Sequence, residues 1–310
     1  MAVVLNITAP IFFLILLGFI GARYSFIPQV SLPGMSRFVL YLALPSLIFM
    51  KLSNMDINDV IHFDYLAVYA AGGLLTFFIT VLLSWKLLKG NLVISGVRGV
   101  GSGMSNSAFI GFPVLLQFFD QPLTQAFAMA LMVENIVLLP VFLIFIETML
   151  GRDKNEGKSL IVTVVKRIST NPLLIALVSG LAFSILDISP PDFIGRGLNL
   201  LAAGAAPTAL IVIGGSLVGV SIKGQLSPIV LVALAKLIIF PVSVALLLLL
   251  TPTMPYELKV AVVIFAAVPM FSTYPIVCGE YGERSFCAST LLATTMLSFL
   301  TLSLLLHFLV

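Results

Sequence analysis

The chain is poor in charge. Only 9% of its 310 residues are Asp, Glu, Lys or Arg, where a soluble domain carries about 25%. Cysteine is nearly missing: Cys278 and Cys287 fall in or beside apolar runs, and two buried thiols are expected there rather than a disulfide framework. Histidine is also scarce. His62 and His307 have no Cys, His or carboxylate cluster at metal-ligand spacing, so no metal centre and no bound cofactor are expected. Gly103-Met104-Ser105-Asn106 loosely resembles a serine nucleophile turn, yet no histidine lies deep in an apolar run to activate it, which argues against an enzyme. No G-x-x-x-x-G-K-[ST] stretch is present to hydrolyse nucleotide. No basic cluster interleaved with aromatics suits a nucleic acid partner.

What fills the chain instead is apolar. Hydrophobic residues make up 60% of it, and the mean hydropathy is +1.18. A helix crosses a bilayer with about 20 apolar residues. The pattern predicts an all-α polytopic membrane protein with ten spans, near 3–21, 31–50, 65–88, 99–117, 123–148, 161–185, 194–219, 227–250, 258–277 and 285–308. The first run lacks a basic flank and a small-residue cleavage site, so it is read as a retained span. The polar stretch 151–160 divides the chain into 1–150 and 161–310, with five spans each.

The halves repeat. A shift of 162 positions lays Pro10 on Pro172, Pro28 on Pro190, Pro45 on Pro207 and Pro113 on Pro275. About half a match is expected by chance. With five spans per half, the second copy enters the membrane from the opposite side, so the repeats are inverted. Such a pair has two mirrored arrangements, one open to each face. Lysine and arginine orient the chain: twelve, among them Arg23, Lys86, Arg98, Arg152, Lys158 and Arg284, fall on one side, against Lys51, Arg196 and Lys259 on the other. The rule that basic loops stay inside predicts a cytoplasmic 151–160 loop and both termini outside, in a cell (inner) membrane.

The fourth span is a poor helix. Gly101-Ser102-Gly103-Met104-Ser105-Asn106-Ser107 runs into Gly111-Phe112-Pro113, and Pro269-Met270-Phe271-Ser272-Thr273-Tyr274-Pro275 interrupts the ninth. Irregular backbone at membrane depth survives only inside protein or along a wet cavity. Paired interruptions in two halves point to a transport site. Candidate substrate contacts are Asn106, Ser105, Ser107, Gly111, Pro113, Ser272, Thr273 and Pro275. Asn106 offers two donors and an acceptor beside free helix-end N–H groups, which suit an anion. Gly101 and Gly103 read equally as room for close packing. Glu134 and Lys236 are the charges deepest in apolar runs. One expectation is an ion pair that exchanges its partner for substrate or a proton; the alternatives are a purely structural pair or a snorkelling lysine. Asn171, just before Pro172, is read as a helix cap.

Ser105 to Pro113, with its asparagine seven before the proline, resembles the auxin efflux carrier family. So do Pro269 to Pro275 followed by Cys278-Gly279-Glu280-Tyr281, and Arg37 to Pro45. The short central loop is like that of prokaryotic members, which are associated with malonate, malate and similar acids. The resemblance implies two inverted five-helix repeats, similar to bile-acid symporters and sodium-proton exchangers. Helices 1, 2, 6 and 7 would form a scaffold and homodimer interface. Helices 3, 4, 5, 8, 9 and 10 would move, with broken helices 4 and 9 crossing at the site. Asn106 matches the asparagine that meets the substrate carboxylate in plant carriers. The ninth span departs from their pattern, with Ser272 and Thr273 supplying the polarity. The expected function is a secondary active transporter of a small mono- or dicarboxylate, or of an auxin-like acid, coupled to Na+ or H+. The alternatives are a passive anion channel or a sodium-coupled symporter of another amphipathic acid.

Overall fold

A computed structural model describes residues 2–55, 61–119, 123–151, 166, 169–219 and 226–309, and every regular element among them is helical. In chain order these are α1 (Ala2–Arg23), α2 (Gln29–Leu52), α3 (Phe63–Leu87), α4 (Leu92–Gly103) and α5 (Phe112–Phe118, entered through a π turn at Ser107–Gly111). Then come α6 (Thr124–Leu150), α7 (Pro172–Ile185), α8 (Asp192–Ser216), α9 (Leu226–Leu250), α10 (Tyr256–Ala267), α11 (Tyr274–Val277) and α12 (Arg284–Leu309). Helices α2, α3, α6, α8, α9 and α12 are each long and apolar enough to cross a membrane. Their outward faces carry exposed Phe78, Leu82, Trp85, Leu200, Leu246 and Leu300. Such a surface suits lipid rather than water.

The weak fourth and ninth segments are helices with gaps. α4 ends at Gly103 and the chain resumes helical turns at Ser107; α10 ends at Ala267 and resumes at Tyr274. The expected sixth segment is described from Lys166 onward only in part, and its regular helix begins at Pro172, behind the cap Asn171. Residues 152–165, which include most of the expected cytoplasmic loop, lie outside the described residues. Arg98 is corrected from loop to core. It sits within α4, 8% exposed, donates to Ser84 Oγ at 2.9 Å and lies 5.6 Å from the Phe286 ring centre.

Proline shapes several helices in one way. π turns at Val39–Ala43, Ser107–Gly111, Val133–Leu138 and Ala235–Ile239 each end two residues before a proline: Pro45, Pro113, Pro140 and Pro241. A proline ring has no N–H to give and collides with the carbonyl four residues back. In each case that carbonyl falls inside the π turn, whose wider loop makes room for it. The turn also rotates the residues before it around the helix axis. Glu134 in α6 and Lys236 in α9 lie within two of these turns and face the interior, 4% and 0% exposed.

Packing is close where glycines meet. α1 crosses the second half of α8 at Gly18 and Gly214, where an added Cβ would overlap Ile211 O or Ile15 O. α7 lies on α2 at Gly180, where a Cβ would stand 3.1 Å from Leu52 Cβ. α3, α6 and α9 are tied by stacked rings, Phe77 on Phe142 at 4.1 Å and Tyr69 on Phe240 at 5.6 Å. This aromatic seam fixes the helices that carry the two buried charges. No disulfide joins Cys278 to Cys287; both are buried.

Candidate functional site

The two gaps meet. After Gly103 the backbone extends at Met104 (φ −116°, ψ 142°), and Asn106 (φ −91°, ψ 57°) starts the next turn as its N-cap. The Asn106 Oδ1 accepts from Phe109 N–H at 3.3 Å. Its own N–H donates to Pro269 O at 2.8 Å, and its Nδ2 donates to Ser272 Oγ at 2.7 Å. One residue thus caps its own helix and joins the gap of the second half through both backbone and side chain. Asparagine fits because it carries an acceptor for the cap and donors for the bridge.

Serines on either side of Asn106 are held by the buried charges. Lys236 Nζ donates to Ser105 Oγ at 2.7 Å and to Ala266 O at 2.8 Å, and rests 4.3 Å from the Phe240 ring centre. Glu134 Oε1 accepts from Ser107 Oγ at 2.5 Å and from Tyr69 OH at 2.7 Å. Among the described residues Glu134 and Lys236 share no hydrogen bond, although the two groups are near enough to act on each other electrostatically. Each charge grips a different serine of the same three-residue segment, and Lys236 also takes one carbonyl that the end of α10 leaves open. Charge-assisted bonds of this kind are about twice as strong as neutral ones.

A cavity of ≈ 330 Å³ opens beside this segment. Of the expected residues, Ser105, Asn106, Ser107, Glu134, Ser272 and Thr273 line it. Lys236, Gly111, Pro113 and Pro275 do not. Gly111 is packed under Phe265, whose ring would be 2.7 Å from an added Cβ. Gly101 and Gly103 also serve packing, against the Tyr274 ring and against Phe142 with Gly73 O. Three polar side chains join the lining that sequence reasoning left out of the site: Asn135, Thr170 and Asn171. Asn171 does cap α7, accepting from Leu173 N–H at 3.0 Å, and its Nδ2 donates to Asn135 Oδ1 at 3.1 Å. Asn135 adjoins Glu134 in sequence, and that neighbourhood was the one signal that could have found it. Apolar walls come from Leu40, Leu131, Leu139, Leu173 and Phe271.

Residues 3–306, nearly the whole chain, match the family described as Membrane transport protein. The chain belongs to that family. It is a multi-pass membrane transporter and not an enzyme, and the resemblance to auxin efflux carriers holds along its length. A protein of Rhizobium meliloti (strain 1021) named "Putative malonate transporter" is 25% identical over 310 residues, which cover 99% of this chain and 96% of that one. In a membrane transport protein, a polar cavity ringed by two helix gaps is the place where cargo can be held without exposing backbone to lipid.

Proposed function

We propose that this protein is a secondary active transporter of a small organic anion, which it holds at the meeting of the two helix gaps and moves by alternating access. The observation that carries the reading is the Asn106 junction. One cavity-lining residue binds Pro269 O and Ser272 Oγ across the two halves. A carboxylate accepting from this amide and from the neighbouring hydroxyls would bear on both gaps at once. The malonate named for the Rhizobium relative is a cargo of fitting chemistry.

The inverted ten-helix arrangement is part of the same proposal. Beyond the prolines, the 162-residue shift that lays Gly18 on Gly180 also relates their packing: Gly18 seats α1 on α8, and Gly180 seats α7 on α2. Helices α1, α2, α7 and α8 would form the scaffold and the homodimer contact, and the remaining helices would move. The excess of lysine and arginine on one side supports a cytoplasmic 151–160 loop and a cell inner membrane as part of this proposal. The cavity reaches Thr170 and Asn171, at the N-terminal end of α7, which fits an inward-open state if that end faces the cytoplasm as proposed.

The proposed coupling ion is a proton on Glu134. Among the described residues this is the one carboxylate of the cavity lining; Tyr65 and Tyr69 of α3 and Lys236 of α9 surround it. Its Oε1 is taken by two hydroxyls, and no donor among the described residues serves Oε2. An anion entering beside an ionised carboxylate meets repulsion that low dielectric magnifies, and protonation removes it. Proteoliposome uptake of malonate, malate and an auxin-like acid under imposed H+ or Na+ gradients tests both points. Asn106→Ala should abolish uptake while leaving folded protein, and Glu134→Gln should keep exchange but lose its drive by the proton gradient. Uptake at the normal rate by Asn106→Ala would sink the site, and sodium-driven uptake untouched by Glu134→Gln would sink the proton.

A further inference from the structure

We propose that Asn135 and Asn171 read the second carboxylate of a dicarboxylate, and so set this cavity against acids with an apolar tail. The inference rests on the anion site proposed above and names the class of its substrate.

Both amides face the cavity, from π-turn backbone in α6 and from the cap of α7. Their orientations are fixed by a chain of bonds. Leu173 N–H donates to Asn171 Oδ1, Asn171 Nδ2 donates to Asn135 Oδ1, and Asn135 Nδ2 donates to Leu131 O at 2.9 Å. Flipping either amide would set N–H against N–H. Each Nδ2 carries two hydrogens, and each has spent one. Among the described residues, nothing accepts the second hydrogen of either. Two oriented, unspent donors therefore remain on the cavity wall, separate from the Asn106 junction.

Their chemistry selects in two directions. A second carboxylate, or its protonated form, supplies oxygens for both donors. An aliphatic or aromatic tail supplies none, and it would strip water from both N–H groups without repayment. A site built to hydrogen-bond a substrate rejects the analogue that lacks the acceptor more strongly than an apolar pocket rejects an added group. Lys236 cannot take this role, because its ammonium is bound to Ser105 and Ala266 O and lies outside the lining.

Equilibrium titration of the purified full chain in detergent, with malonate, succinate, propionate and indole-3-acetate, tests the proposal. Two variants remove the donors gently. Asn135→Ala suits a helix interior, and Asn171→Ser retains a good N-cap. Wild type should favour malonate or succinate over both monocarboxylates. Each variant should weaken dicarboxylate binding about tenfold while leaving propionate within about twofold. Equal weakening of all four acids would overturn the proposal and make the amide pair a latch between α6 and α7. Unchanged dicarboxylate binding in both variants would overturn it as well. Asn106→Ala serves as the control and should lose every acid. If wild type binds none of the four, the anion site itself falls and takes this inference with it.

Discussion

The two helix gaps are built differently, although they meet at one point. The first, around Ser105 to Ser107, is buried throughout, with exposures of 1–3%. It is pinned by an ammonium, a carboxylate and an asparagine cap. The second, around Phe271 to Thr273, is partly open, and its Thr273 is exposed. Among the described residues its one side-chain tie to the first gap is Ser272 accepting from Asn106. Beyond it α11 has only four residues before a 3-10 turn. The first gap is thus a preorganised reader, and the second is a softer wall that can adjust around what the first one holds. Binding costs less when the reading groups are already in place.

Variants in the two gaps should differ accordingly. Asn106→Ala should have the largest effect, because it removes a cap and a bridge together. Acid binding should weaken by at least about a hundredfold, read by titration. Lys236→Met should come next. It frees Ser105 and the Ala266 carbonyl inside the protein, at a cost of about 3 kcal/mol, visible as a lower melting temperature in detergent. Gly103→Ala should cost about 1–3 kcal/mol by overpacking, since its Cβ would stand 2.9 Å from Gly73 O. In the second gap Ser272→Ala should weaken binding about fivefold, the worth of one neutral hydrogen bond of about 1 kcal/mol. Thr273→Ala should stay within about twofold. A Thr273→Ala loss as deep as that of Asn106→Ala would reverse the assignment of reader and wall.

Much of this contrast is legible in the sequence. Asparagine, serine and glycine inside an apolar run mark the first gap, and two prolines six apart mark the second. Glu134 and Lys236 stand out as charges with no polar neighbours along the chain beyond Asn135. What was not legible is which way those charges turn. Both sit inside π turns, where the regular helical register breaks, and each meets a serine of the first gap, Ser107 and Ser105. Asn171 was legible as a cap, because Asn before Pro at a helix start is a local signal. Its meeting with Asn135 is a tertiary event, 36 residues apart, and no periodicity announces it.

The π turns have one more consequence. Each holds a single residue more than a regular helical turn would, always two places before a proline. Each is therefore a point where chain length and proline position are bound together. Deleting one residue there while replacing the proline should restore a plain helix of the same span. Chains of this family that lack Pro140 or Pro241 are then expected to be one residue shorter at that place, and to align with this one only through a gap of one.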